Sequence, residues 1–192
     1  MKGGETMDEI KLVKKARKGD DAAFEQLISL YQDQLYRTAY LYVQNKEDAL
    51  DIVQETVYKA YLSIEQLKKP NYFLTWLTRI LIHNAYQLLS EKKKVKKIED
   101  GREADTYGEM PNKLHQIEQN IDLQEAIQKL DENYQTVIIL YYYHDLSINK
   151  IAWQMNIPEG TVKTYLHRAR KALKNLLGGS EENWISSGLM TR

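Results

Sequence analysis

Residues 147–176 read SINKIAWQMNIPEGTVKTYLHRARKALKNL, and this stretch decides the fold. It divides into a short apolar-periodic segment, a turn and a longer basic segment, the pattern of a helix-turn-helix. The second helix should begin near Pro158-Glu159-Gly160, because proline and an acidic side chain both suit a first helical turn. Val162, Leu166, Ala169, Leu173 and Leu176 then recur at alternating four- and three-residue steps, which draws one apolar stripe. Lys163, His167, Arg170 and Lys174 recur on another face, flanked by Thr164, Arg168 and Lys171. A helix that is apolar on one side and cationic on another can pack inward while facing phosphates. A solvated basic face on an ordinary bundle helix shows the same pattern, so the rest of the chain has to separate the two.

Working outward, 192 residues leave room for one large domain or two small ones. An apolar fraction of 43% is ordinary for a chain that buries a core. No apolar run approaches 18 residues and residues 1–18 are charged, which argues against a membrane span and a secretory signal. The absence of cysteine excludes disulfides, thiol catalysis and thiolate metal sites, and it fits a reducing cytoplasm. The formal net charge is zero, but the charges are segregated. Residues 91–98 (EKKKVKKI) and 159–174 are basic, while 47–55 and 99–109 are acidic. Such segregation points to at least two kinds of partner surface.

Glycine and proline fall between periodic segments and so place the boundaries. Residues 8–18 read as a first helix closed by Gly19, with Lys14, Lys15, Arg17 and Lys18 where the helix dipole favours cations. Asp20 or Asp21 can cap a second helix carrying Phe24, Leu27, Tyr31, Leu35, Ala39 and Tyr42 on one face, interrupted at Asn45. A third helix is expected over residues 46–66, with Leu50, Val53, Val57, Ala60, Tyr61 and Ile64 as its buried stripe. The loop Lys68-Lys69-Pro70-Asn71 leads to a fourth helix from Tyr72 to about Lys93, dense in apolar residues. Periodicity fades over residues 95–114, where EDGREADTYGEMPN reads as an acidic, flexible linker. Helices are expected again over 117–130 and, after Asp131 as a cap, over 134–143, although VIILYYY (137–143) is strand-like in composition. The expected class is therefore all-α: a four-helix domain at 1–94, a linker at 95–114, a helix-turn-helix domain at 115–178 and a tail at 179–192.

At this point the chain resembles an extracytoplasmic-function (ECF) sigma factor, the small two-domain branch of the sigma-70 family. The likeness rests on GDDAAFEQLISLY (19–31), EDALDIVQETVYKAY (47–61), TWLTRILIHNA (75–85) and IPEGTVKTYLHRARKAL (157–173), in that order. It implies a sigma2-like and a sigma4-like domain, core RNA polymerase and promoter DNA as partners, no cofactor, no metal and no catalysis. It implies polymerase docking through Asp48, Asp51, Gln54, Glu55 and Tyr58, and acidic residues at those spacings do suit an arginine-rich partner helix. It implies capture of the −10 element as single-stranded DNA by Lys68, Lys69, Asn71, Tyr72, Arg79, His83 and Asn84. Single-strand capture needs an aromatic platform and cations along the backbone; Trp76 is assigned to the core instead. It implies −35 recognition as duplex, with Glu159, Thr161, Lys163, Thr164 and His167 near bases and Arg168, Arg170, Lys171 and Lys174 nearer phosphates. The likeness further implies an anti-sigma partner, often membrane-anchored, a cytoplasmic location with nucleoid association when active, and a role in envelope or other stress.

The sequence departs from the family pattern at four positions. His83 stands where asparagine is common, Gln87 where aspartate is, Ser90 near the place of an arginine, and Lys150 where glutamate is usual. Asn84 could take the first of these roles after a one-residue shift, and Lys150 removes the reciprocal half of a capping box begun by Ser147. The acidic cluster Glu99, Asp100, Glu103, Asp105 and Glu109 suits either a basic channel or a solubilising linker. Among competing readings, a stand-alone helix-turn-helix regulator would need a different first half, and residues 1–94 lack the βα alternation of a receiver domain. An enzyme ranks lowest: His83, His115, His144 and His167 are scattered, no phosphate loop or nucleophile motif appears, and His144 reads as structural.

Overall fold

The computed structural model describes residues 7–99 and 123–177, and within them the chain is helical with no strand. The first domain contains α1 (Met7–Ala16), α2 (Asp21–Val43), α3 (Lys46–Ser63) and α4 (Phe73–Glu99). Short 3-10 turns occur at Ile64–Gln66 and Pro70–Tyr72. The second domain contains α5 (Leu123–Gln128), α6 (Glu132–Ile138), α7 (Ile148–Met155) and α8 (Glu159–Leu176), with one π-helical segment at Ile139–Tyr143. The strand-like VIILYYY is thus helical. Residues 100–122 and 178–192 lie outside the described residues, and with them most of the acidic linker, the start of the 117–130 helix and the Gly178-Gly179 ending.

Local chemistry sets the boundaries. Gly19 at φ 87° turns the chain after α1, and Asp20 caps α2 by accepting from the Ala23 N–H at 3.0 Å. Gln44 ends α2 in the left-handed region and Asn45 caps α3, accepting from Asp48 N–H at 3.0 Å. Ser147 caps α7, and left-handed Asn156 separates it from α8. Asp131 sits at the N-cap of α6 but makes no side-chain cap bond there. Several boundaries move relative to expectation: α1 ends at Ala16, α3 gives way to the 3-10 turn after Ser63, and α6 begins at Glu132. α4 starts one residue later, after the 3-10 turn, and runs on to Glu99, because lysine and glutamate sustain a helix where apolar periodicity has already faded.

The face of α3 also differs. Leu50 and Tyr61 are exposed, and the buried line is Ala49, Ile52, Thr56 and Ala60, with Ile64 just beyond. Alanine and threonine let α2 and α4 approach closely, and the Thr56 hydroxyl is satisfied by donating to Ile52 O at 2.6 Å. Tyr61 instead lies edge-on to Phe24 with centroids 5.3 Å apart and donates to Asp21 at 2.9 Å. The expected stripes of α2 and α8 are buried, apart from half-buried Tyr31 and Leu176.

The two domains share one continuous hydrophobic core. α2 packs on α5, and α4 packs on α7. Polar pairs line the seam. Gln128 Nε2 donates to Tyr42 O at 3.3 Å and Tyr86 donates to Glu132 O at 2.8 Å. Tyr86 also bonds the Thr136 hydroxyl at 3.0 Å, and its ring meets Tyr42 edge-on at 5.3 Å. Burial raises the hydroxyl pKa of both tyrosines, so both stay neutral donors at ordinary pH.

Candidate functional site

Three charged faces stand apart on this frame. On α3, Asp51, Gln54, Glu55 and Tyr58 are exposed at three- and four-residue spacing, so their side chains form one strip. Tyr58 is 60% exposed, so the strip presents an aromatic ring as well as carboxylates. Asp48 is different. Its carboxylate is mostly covered and bonded to Lys92 of α4. A cleft of about 170 Å³ opens beside the strip between α3 and α4, with Asp51, Glu55 and Glu91 on its walls and Asn84 at its base.

The second face lies on the Pro70–Tyr72 turn and α4. Lys68, Lys69 and Asn71 are exposed and Tyr72 is half-buried. Arg79 and His83 are exposed one turn apart on α4, following Trp76 along the same helical side. Trp76 is half-buried with its ring 6.0 Å from that of Phe73, so it belongs partly to the core. Asn84 does not join this face. It is 5% exposed, accepts from Lys59 Nζ at 2.8 Å and donates to Thr56 at 3.1 Å. Its amide is therefore engaged in tying α3 to α4, and it is not exposed beside Arg79 and His83.

The third face is α8. Glu159, Lys163, Thr164, His167, Arg168, Lys171 and Lys174 are exposed and Thr161 is half-buried. Glu159 accepts from Asn149 of α7 at 3.0 Å, which fixes the first turn of α8 against the preceding helix. Thr164 returns its hydroxyl to Gly160 O at 2.9 Å. Arg170 stands apart from the other cations. It is half-buried, its Nε donates to the Tyr142 hydroxyl at 2.9 Å, and its guanidinium lies 5.8 Å from the Tyr141 and Tyr142 ring centres. That geometry holds α8 to the π-helical segment rather than presenting the charge outward.

The structure also brings forward contacts of His144, which reads as structural in the sequence, and of Gln34, Thr38 and Trp153, to which the sequence reading assigns no role. His144 is 4% exposed on the second domain, yet both ring nitrogens are bonded to α2 of the first. Gln34 Nε2 lies 3.0 Å from Nδ1 and Thr38 Oγ1 lies 2.8 Å from Nε2. Because the Gln34 amide nitrogen can only donate, Nδ1 accepts and Nε2 carries the proton. Thr38 completes the chain by donating to Gln34 O at 2.7 Å. Burial pushes the imidazole pKa down to about 4. Trp153 of α7 lies against Tyr72 with ring centroids 4.9 Å apart. No single-sequence signal pairs residues this far apart, although an isolated histidine after an apolar run is a hint of a buried polar group.

Among the described residues no group of histidine and carboxylate side chains could hold a metal, and no helix is long and apolar enough to cross a membrane. The sequence matches the model for sigma-70 region 2 over residues 27–95 and that for sigma-70 region 4 over residues 120–173. It is 35% identical over 179 residues to the ECF RNA polymerase sigma factor SigW of Bacillus subtilis, covering 87% of this chain and 95% of that one. It is 33% identical to the ECF RNA polymerase sigma-E factor of Haemophilus influenzae, covering 85% and 92% respectively. The fold is similar to that of CnrH, solved with the cytosolic domain of CnrY, with a TM-score of 0.67, 21% identity and coverage of 90% and 99%. It is likewise similar to RpoE of Bartonella quintana, solved with the anti-sigma factor NepR, with a TM-score of 0.65, 24% identity and coverage of 81% and 96%. With both regions in order along one chain, and SigW matched over nearly its full length, the chain belongs to the ECF sigma factors of the sigma-70 family, which direct RNA polymerase in transcription initiation.

Proposed function

We propose that this sigma factor divides promoter reading between its domains while α3 holds core polymerase. The observation that carries this is the separation of three solvent faces on a single frame: an acidic strip on α3, a cationic turn and helix at 68–83, and a cationic face on α8. Asp51, Gln54, Glu55 and Tyr58 suit a basic partner helix, with Asp48 joining them once Lys92 releases it. Lys68, Lys69, Asn71, Arg79 and His83 supply donors and charge along a displaced strand, and Tyr72 supplies a stacking face. Asn84 acts through Lys59 and Thr56, as a positioning residue. Lys163, Thr164 and His167 reach base edges from the first turns of α8, and Arg168, Lys171 and Lys174 reach phosphates. Residues 1–94 and 115–178 serve as the two reading units, joined by 95–114.

The chain acts in the cytoplasm, at the nucleoid when active, and contributes recognition rather than catalysis of its own. The solved relatives are a complex with an anti-sigma factor and one with the cytosolic domain of a second protein, which supports an anti-sigma partner here; control by envelope or another stress rests on membership of the ECF family. A footprint of the chain with core polymerase tests the division. Upstream duplex protection should weaken with Lys171→Ala, and downstream permanganate-reactive thymines should weaken with Tyr72→Ala. Loss of both signals from either single change would refute the division of labour.

A further inference from the structure

The Pro70–Tyr72 turn, which carries Asn71 and Tyr72 of the single-strand face, has no side-chain cap of its own. Tyr72 N–H donates to Lys69 O at 3.0 Å and Phe73 N–H donates to Pro70 O. Two bonds of one short 3-10 turn leave its direction to whatever packs against it. That is α1, which lies on the turn, and the ring of Phe73, fully buried where α4 begins. Tyr31 of α2 meets the Phe73 ring with centroids 6.0 Å apart at 43°, and Phe73 in turn meets Trp76 at 6.0 Å. The Tyr31 hydroxyl donates to the carboxylate of Glu9 on α1. Glu9 is 8% exposed and shares the buried face of α1 with Val13 and Ala16.

A carboxylate is rarely this buried, because it gives up hydration there. An apolar side chain in such a place is often no worse for stability, so the carboxylate contributes direction as well as bulk. A hydrogen bond to a carboxylate is stronger than one between neutral groups, and here it anchors the far end of the Tyr31 ring. We propose that Glu9 and Tyr31 are positioning residues for single-strand capture. The pair joins α1 to α2 behind Phe73 and so sets the path of the Pro70–Tyr72 turn, which lets Asn71 and Tyr72 meet the displaced strand in one register. This rests on the reading of that turn as a single-strand contact. Glu9 itself is buried and acts only through Tyr31 and Phe73. A supporting contact of this kind governs selectivity, since a recognition group about 1 Å out of place loses much of its effect. The acidic strip lies on α3 and the duplex-reading cations on α8, and neither helix carries a member of this chain of contacts. Loss of the pair should therefore spare core docking and duplex reading.

In the test, the full chain bound to core polymerase is mixed with single-stranded DNA of random sequence, and the retained strands are sequenced. The parent should enrich one block. Tyr31→Phe keeps the ring and removes the donor, and Glu9→Ala removes the acceptor. Each should lower the enrichment about fivefold, the scale of one hydrogen bond to a carboxylate transmitted only in part. Glu9→Gln keeps an acceptor at the same reach and should hold enrichment within about twofold of the parent. Helical content should be unchanged in all three, and affinities for core polymerase and for duplex promoter DNA should stay within about twofold. Mere support of the fold cannot produce that split. Unchanged enrichment in Tyr31→Phe and Glu9→Ala, or enrichment that falls only in step with core affinity, would overturn the proposal. Tyr72→Ala in the same assay separates the two levels. If it enriches as the parent does, the reading of the turn fails and the brace with it; if it alone loses enrichment, only the brace fails.

Discussion

His144 and Thr38, 106 residues apart in sequence, meet across the domain seam with Nε2 2.8 Å from Oγ1. The imidazole is neutral, its other nitrogen accepts from Gln34, and burial holds its pKa at about 4 against an ordinary 6.5. A group whose folded pKa is depressed favours the folded, closed chain above its unfolded pKa, and that advantage is lost as pH falls. We predict that this contribution declines from pH 6.5 towards pH 4, with about 2 kcal/mol of it lost by pH 5, where the unfolded chain has bound a proton that the folded chain has not. Urea unfolding at pH 7.5 and pH 5 of the parent and of His144→Gln checks this. The variant should lose that part of the pH dependence, and equal slopes in both would contradict it.

Asn84 and His83 are adjacent on α4 and should respond oppositely. Asn84→Ala strands the polar contacts of a buried amide and should destabilise the first domain by about 1–3 kcal/mol. His83→Ala, at an exposed position, should change stability by less than about 0.5 kcal/mol and weaken single-strand binding in the polymerase complex. Thermal unfolding together with open-complex lifetimes distinguishes them. Equal destabilisation by both would refute the assignment.

The cations of α8 should likewise divide. Arg168→Ala and Lys171→Ala should each reduce the slope of log affinity against log salt by about 1, the signature of one lost phosphate contact. Arg170→Ala should leave that slope unchanged and instead cost the second domain about 1–2 kcal/mol, because its guanidinium is bound to Tyr142 and packed on two rings. Salt titrations of promoter binding and calorimetric melting read the two effects separately.

Reversal of charge on the α3 strip addresses docking alone. Asp51→Arg should lower affinity for core polymerase at least about tenfold, since like charge against a basic partner is strongly unfavourable. The exposed site leaves the fold intact, so helical content and duplex binding should be unchanged. Normal core affinity in this variant would remove the strip from the interface.

How much of this was legible in the sequence varies with the range of the interaction. Helix ends were readable because Asp20, Asn45 and Ser147 act within three residues of their targets. The stripe of α8 was readable because Val162, Leu166, Ala169 and Leu173 obey one period and all are buried. The stripe of α3 misled because large Leu50 and Tyr61 lie outside while Ala49 and Ala60 lie inside, and size is no guide where helices approach closely. The exposure of Asp51, Gln54, Glu55 and Tyr58 on α3 and of most cations on α8 follows from their spacing, whereas Asp48 is covered. Asn84 and Arg170, which the resemblance points towards DNA, bond instead to Lys59 and Thr56 and to Tyr142, and no spacing in the sequence marks those partners. The seam itself was invisible: Gln34, Thr38, Tyr86 and His144 carry no pattern until the two domains are folded against each other.

The most direct measurement is transcription by purified core polymerase on a randomised promoter library, with and without this chain. The account predicts initiation that depends on the chain and selects two sequence blocks at fixed spacing. Arg168→Ala should weaken selection at the upstream block and Tyr72→Ala at the downstream one. Chain-independent initiation, or duplex binding by the free chain with no effect on core polymerase, would contradict it.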